Sequence, residues 1–242
     1  MTDLAFDDGP VARRLGLVAL ATDLTLEVDA AAVMRDLDAG LHVTRIAFAN
    51  PVTAASLMAT APALTAAAAQ ILPGERLDAL AFGCTAASAA IGDDAVHTHL
   101  TAERPGTPCA TPTSGLLAAT AALGIRKLAV LAPYTEAVSR DVAGYLERLG
   151  LEVTRLTWLG VDDDRRIAKL TPATIAAAAA DAVDPAADAL FCSCTALRAR
   201  ALAPTLETRF ERPVLTSNQV LLWRALRLAG VTDPLGLSHH LP

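Results

Sequence analysis

The chain of 242 residues is poor in cysteine, with four, and in aromatic residues, which make up 4% of it. Four cysteines are too few for a disulfide scaffold at this length, so they are either small buried residues or chemical groups. Lys and Arg number 20 against 26 Asp and Glu, a formal net charge of −6. A basic stripe is lacking, which argues against a nucleic-acid partner. Apolar runs of the ~20 residues that span a bilayer are absent as well. The opening MTDLAFDDGPVARR is acidic and has neither the basic nor the apolar region of a signal peptide. The expectation is a cytoplasmic protein with no membrane partner. There is no Gly-rich phosphate loop, and the five histidines show no metal spacing: His97 and His99 lie beside a loop, His239 and His240 in the tail. Neither a cofactor nor a metal is therefore expected.

What is present is a globular composition, 53% hydrophobic and 19% charged, long enough for one large domain or two small ones. After a flexible lead-in over 1–13, apolar runs at 14–21, 42–49, 77–83, 107–110, 127–132, 151–159, 187–193 and 213–217 read as strands. Between them lie helical stretches. That at 53–72 carries Pro62 as a kink or break. That at 113–124 is closed by Gly124, and that at 171–183 opens with Thr171 as cap and Pro172 in the first turn. A helix is expected from about Ser88, another from Thr135 to Gly150, another after Cys194, and a last one from Asn218 to Gly230. Alternation of helices with continuous apolar strands is the signature of buried parallel sheets in an α/β fold.

Two stretches match each other: FGCTAAS at 82–88 and FCSCTALR at 191–198. Cys84 and Cys194 are 110 residues apart, and HVTRI at 42–46 is offset from EVTRL at 152–156 by the same 110. Equal offsets at separate landmarks argue for an internal duplication. The expected architecture is two pseudo-symmetric open α/β lobes, 14–110 and 111–216, with a C-terminal helix over 217–230 packing back on them and a tail over 231–242. In open parallel sheets ligands sit beyond the carboxyl ends of the strands, and both Cys-Thr pairs fall there. Two thiols facing one cleft can serve as base and acid on opposite faces of a carbon. A helix start after each cysteine is expected to draw its thiol pKa toward neutrality. Thr85 and Thr195 place a hydroxyl beside each thiol.

Plainer readings stand beside these. Cys109 and Cys192 read as small hydrophobes. Cys192 is two residues before Cys194, so both would point to one face of a strand. Asp23 could be a turn or capping residue, Tyr134 could close a strand, and Asn218 could cap the last helix. The run Asp162, Asp163, Asp164, Arg165, Arg166 reads as a solvated loop.

The two cysteine motifs resemble those of the aspartate/glutamate racemase superfamily, in its maleate isomerase and arylmalonate decarboxylase branch. ATDLTLEVD, LAPYTEAVS, DDDRRIAKLTP and SNQVLLWRALRLAG make the chain similar to the ectoine utilisation protein A group of that branch. The resemblance implies two Rossmann-like lobes and cofactor-free chemistry on a small carboxylate. It implies Cys84 as the thiol that adds to a double bond and Cys194 as the one that protonates the resulting carbanion. Tyr134 would hold a substrate carboxylate, with Thr85, Thr195 and Asn218 beside the substrate. Asp23 and Asp164 stand where maleate isomerases have asparagines. Ionised carboxylates there would repel a second substrate carboxylate and suit an amino, amidine or hydroxyl group. The expected function is a racemase, epimerase or cis-trans isomerase. A maleate isomerase or a decarboxylase of the same superfamily and a non-catalytic ligand-binding protein remain alternatives, and the Ala- and Leu-rich helices are compatible with a homo-oligomer.

Overall fold

A computed structural model describes residues 2–232, and the expected tail lies beyond residue 232 outside them. All eight expected strands are present: β1 (Arg13–Leu20), β2 (Ala39–Ile46), β3 (Ala79–Gly83), β4 (Cys109–Ala110), β5 (Lys127–Ala132), β6 (Glu152–Trp158), β7 (Ala189–Cys192) and β8 (Val214–Thr216). They form two four-stranded parallel sheets, ordered β2-β1-β3-β4 and β6-β5-β7-β8. Replacing each strand of the first sheet by the strand four places later gives the second, so the duplication read from the cysteine spacing is a duplication of topology. The central strands β1, β3, β5 and β7 are almost wholly buried, which is why they are continuous apolar runs.

The helices that position the site are α1 (Leu26–Met34), α4 (Thr85–Ile91), α6 (Pro112–Leu123), α7 (Glu136–Arg148) and α11 (Ser217–Leu228), with α2 (Ala54–Met58), α3 (Ala61–Gln70), α5 (Asp93–Thr101), α8 (Asp164–Ile167), α9 (Pro172–Ala182) and α10 (Ala203–Phe210) around them. The stretch at 53–72 divides at Ala59 and Thr60, and Pro62 opens the second piece in its first turn, where its missing N–H costs nothing. Thr171 caps α9 and Gly124 closes α6 in the left-handed conformation, as their sequence contexts require. Two expectations fail. The helix after β3 begins at Thr85, not near Ser88, because Cys84 itself caps it. No α-helix follows Cys194 directly: turns and a 3₁₀ segment (Arg200–Leu202) intervene, and α10 starts at Ala203 with Pro204 in its first turn.

The largest apolar cluster is shared by both lobes. It runs from Val18, Phe82 and Cys84 to Leu131, Tyr134, Leu190 and Cys194. Helix α11 joins the lobes a second way. Leu221, Ala225 and Leu226 pack with Leu15, Leu17 and Ala81 of the first sheet. Val220 and Trp223 pack with Leu116 of α6 and with Leu128, Val130 and Phe191 of the second sheet. The approach of α6 to α11 is close enough to require glycine at position 115, where a Cβ would stand 2.5 Å from the Val220 carbonyl oxygen. No helix among the described residues is long and apolar enough to cross a membrane. The close approach predicts that Gly115→Ala, forced against backbone rather than a yielding side chain, lowers unfolding free energy by about 1–3 kcal/mol. Urea unfolding with an unchanged m-value checks this.

Candidate active site

Each cysteine of the repeat stands at the carboxyl end of the third strand of its sheet, but the two turns differ. Cys84 follows β3 in an extended conformation and caps α4, its Sγ accepting the Ala87 N–H at 3.4 Å. Cys194 follows β7 by two residues with φ of +100°, a region a residue with a Cβ seldom occupies. That reversal ends the strand alternation, so Cys192 and Cys194 do not share surroundings. Burial alone pushes Cys192 up to about 12, whereas Cys194 lies within reach of charged groups that Cys192 does not feel.

Four hydrogen bonds hold the Cys194 turn. Its own N–H donates to Ser217 Oγ at 2.9 Å. The Thr195 hydroxyl donates to the Gly83 carbonyl at 3.1 Å, the Asn218 amide to the Thr195 carbonyl at 2.9 Å, and the Thr25 hydroxyl to the Ala196 carbonyl at 2.7 Å. Thr85, beside the other cysteine, donates to Ser217 Oγ at 2.8 Å. The hydroxyls of both Cys-Thr pairs therefore bond to backbone or side chains of the opposite half of the molecule. Asn218 lies inside α11 and caps nothing; the cap is Thr216, and the Asn218 amide is engaged by Asp29 and the Thr195 carbonyl.

Around the thiols lie Tyr134, Asp23 and Asp164, all buried. Tyr134 stands beside both thiols; burial and then the two thiols raise its pKa well above the ordinary value. Asp23 accepts the N–H groups of Thr25 and Leu26 at 2.7 and 2.8 Å, so it does cap the start of α1 while also belonging to the site. Burial raises its carboxyl pKa against those bonds. Asp164 is 7% exposed, which corrects the reading of its charge run as wholly solvated. The reason is a clasp between the lobes. Thr22 Oγ1 donates to Asp164 at 2.7 Å, the Asp164 N–H donates to Asn50 Oδ1 at 3.0 Å, and the Val52 N–H donates to the Asp162 carbonyl at 2.7 Å. Its neighbour Asp163 is half-buried, caps α8, accepts the Asn50 amide and pairs with Arg165. Burial pushes Asp164 up to about 6, and Asp23 and Asp163 add to the rise.

The thiols are not drawn toward neutrality. Burial pushes Cys84 up to about 12, the Ala87 N–H lowers it only in part, and the carboxylates of Asp164 and Asp23 raise it further. Cys194 is raised for the same first reason, then by Asp164 and by Cys84, with Tyr134 opposing. Cys194 also lacks the expected helix start. At neutral pH both sulfurs are protonated and lie close enough to oppose each other's ionisation. The structure thus brings together Cys84, Cys194, Tyr134, Asp23 and Asp164, and gives Thr85, Thr195 and Asn218 protein partners at the rim of that group. Sequence reasoning assigns no role to Ser217, whose Oγ accepts both the Thr85 hydroxyl and the Cys194 N–H. Its signal was its place just beyond the last strand of the second sheet. Among the described residues no three His, Cys, Asp or Glu side chains are grouped so as to hold a metal ion.

The profile of the arylmalonate decarboxylase family matches residues 65–237, and the chain belongs to that family. It is 31% identical to the arylmalonate decarboxylase of Bordetella bronchiseptica over 130 residues, which cover 53% of this chain and 54% of that protein. The match thus spans about half of the curated relative's length. The fold is shared with the maleate isomerase Iso from Pseudomonas putida S16, with a TM-score of 0.85 at 20% identity over 94% of this chain and 99% of that one. A cysteine-to-serine mutant of the Nocardia farcinica maleate cis-trans isomerase, carrying a covalently bound succinylcysteine intermediate, superposes with a TM-score of 0.81 at 22% identity over 90% and 93% of the two chains. A liganded double mutant of arylmalonate decarboxylase gives 0.83 at 24% identity over 92% and 94%.

Asp164 binds its proton more tightly folded, at about 6, than unfolded, at 3.8. Stability therefore falls as pH rises from 3.8 through about 6, by about 3 kcal/mol for this group alone. Asp164→Asn, which keeps an acceptor for Thr22 but carries no charge, is expected to match the parent near pH 4 and to exceed it in stability at pH 7. Urea unfolding at the two pH values checks this.

Proposed function

We propose that the chain is a cofactor-independent racemase, epimerase or cis-trans isomerase acting on a small carboxylate that also bears nitrogen, with Cys84 and Cys194 as the reacting pair. The observation that carries this reading is the burial of two thiols, one from each half of a duplicated fold, beside a common tyrosine. In the racemising form one sulfur, as thiolate, takes a proton from carbon and the other, as thiol, delivers its proton to the opposite face. In the isomerising form one sulfur adds to a double bond, the new single bond turns, and elimination returns the thiolate. Both sequences balance in protons and electrons without an added reagent.

Asp23 and Asp164 support the nitrogen-bearing substrate. Two carboxylates in a dry site disfavour a dianion such as maleate, and they disfavour a thiolate. A cationic amino or amidinium group between them would offset both effects, so a substrate of this class would assist the ionisation of the thiol that attacks it. Tyr134 would donate to the substrate carboxylate. The resemblance of ATDLTLEVD and SNQVLLWRALRLAG to the ectoine utilisation group supports an acid from ectoine or hydroxyectoine breakdown. The family profile and the Bordetella relative favour a second reading, in which Cys194 protonates the enolate left by decarboxylation. Cys84 has no part in that reaction.

Proton NMR in D₂O separates the readings, with ectoine, hydroxyectoine, their hydrolysis products, aspartate, maleate and an arylmalonate as compounds. Solvent deuterium is expected at one carbon of a nitrogen-bearing acid, at a rate that Cys84→Ser and Cys194→Ser each reduce by about a hundredfold or more. Efficient isomerisation of maleate would sink the nitrogen-bearing substrate. Loss of carbon dioxide from the arylmalonate, unaffected by Cys84→Ser, would establish the decarboxylase. Binding without exchange or turnover would make the chain a ligand-binding protein.

A further inference from the structure

Helix α1 of the first lobe carries two side chains that reach the Cys194 turn of the second. Thr25, at its cap, donates to the Ala196 carbonyl. Asp29, one turn later on the same face, is 7% exposed and divides its two oxygens. Oδ2 accepts the Asn218 amide at 2.8 Å and Oδ1 accepts Arg200 Nε at 2.9 Å. The same Asn218 amide donates its other hydrogen to the Thr195 carbonyl at 2.9 Å. Asp29 therefore fixes from behind both ends of the segment that follows Cys194: the Thr195 carbonyl through Asn218, and Arg200 directly. The segment needs fixing. It has no helical or sheet ladder for its carbonyls, and Cys194 sits at φ of +100°. A residue with a Cβ persists there only where neighbours over-determine it.

We infer that Asp29 is a positioning residue for Cys194, acting through Asn218 and Arg200 to hold the thiol turn in its left-handed conformation. It touches neither sulfur, and its effect is on where the Cys194 thiol points and how often it is reachable. The inference deepens the reading of Cys194 as a reacting thiol, but the property it assigns is measurable without any substrate.

The measurement is the alkylation rate of each cysteine by iodoacetamide, resolved by peptide mass spectrometry, so that Cys84 serves as the reference inside the same molecule. Asp29→Asn and Asn218→Ala are each expected to raise the Cys194 rate about tenfold, with Cys84 within about twofold of the parent, and the double variant is expected to match the single ones because both act through one chain of contacts. Arg200→Lys, which restores a cation to Asp29, is expected to leave the Cys194 rate within about twofold of the parent. Arg200→Gln, at the more exposed end of the ion pair, carries the same measurement if Asp29→Asn does not fold, with the same rise expected at Cys194. Equal acceleration at both cysteines, additive effects in the double variant, or an unchanged Cys194 rate in these variants would overturn the inference. A chain that shows the selective rise yet exchanges no deuterium into any compound would leave the positioning role standing and remove only the isomerase reading.

Discussion

The two hydroxyls that follow the paired cysteines are the joints on which the site depends. Thr195 bonds to the Gly83 carbonyl, the residue just before Cys84, and Thr85 bonds to Ser217, which in turn receives the Cys194 N–H. A duplicated motif has thus become a mutual tie: Thr195 secures the backbone just before Cys84, and Thr85 secures the serine that holds the Cys194 backbone. Both threonines are buried, so each unmade bond would leave a polar group without water. These two bonds, with the apolar cluster the lobes share, set the relative placement of the sulfurs. The left-handed turn at Cys194 and the clasp of Thr22 on Asp164 are further contacts fixed around the same joint.

Electrostatics gives this frame its chemical character. The site gathers two carboxyls and two thiols with no lysine or arginine among them. Arg45 is the nearest cation to be felt by Asp23. Its guanidinium donates to the carbonyls of Leu20, Ala21 and Asp23, and it pairs with Glu27 at the surface. In such dry, acidic surroundings the thiols keep their protons until something positive arrives. Both thiols are accordingly protonated at rest, and the charge that a ligand brings decides whether a thiolate forms.

Much of the architecture could be read from the chain. Continuous apolar runs at strand spacing gave the parallel sheets, and the shared 110-residue offset gave the two lobes, because a duplicated topology keeps its hydrophobic pattern even when its side chains diverge. The pairing of Cys84 with Cys194 followed from the same offset. The misses have a common cause. The helix expected after Cys194 rests on local propensity, and it is overridden by a tertiary clamp from α1 that no local window contains. A helix start alone predicts a lowered thiol pKa, whereas burial and Asp164, distant in sequence, outweigh it. Asp164 sits in a run of charges that looks solvated, and only the opposing loop at Asn50 and Val52 buries it. Asp29 carries no sequence signal, since it is one of two acids in the first turn of an otherwise apolar helix and its partners are 171 and 189 residues away.

The central claim is that Cys84 and Cys194 face one small space. The most direct measurement is peptide mapping after treatment with 1,3-dibromoacetone, a bis-alkylating reagent of about the size of a small carboxylic acid. A bridged product joining the peptides of Cys84 and Cys194 is the predicted result. Separate single alkylations with no bridge, or a bridge from Cys194 to Cys192, would contradict the account.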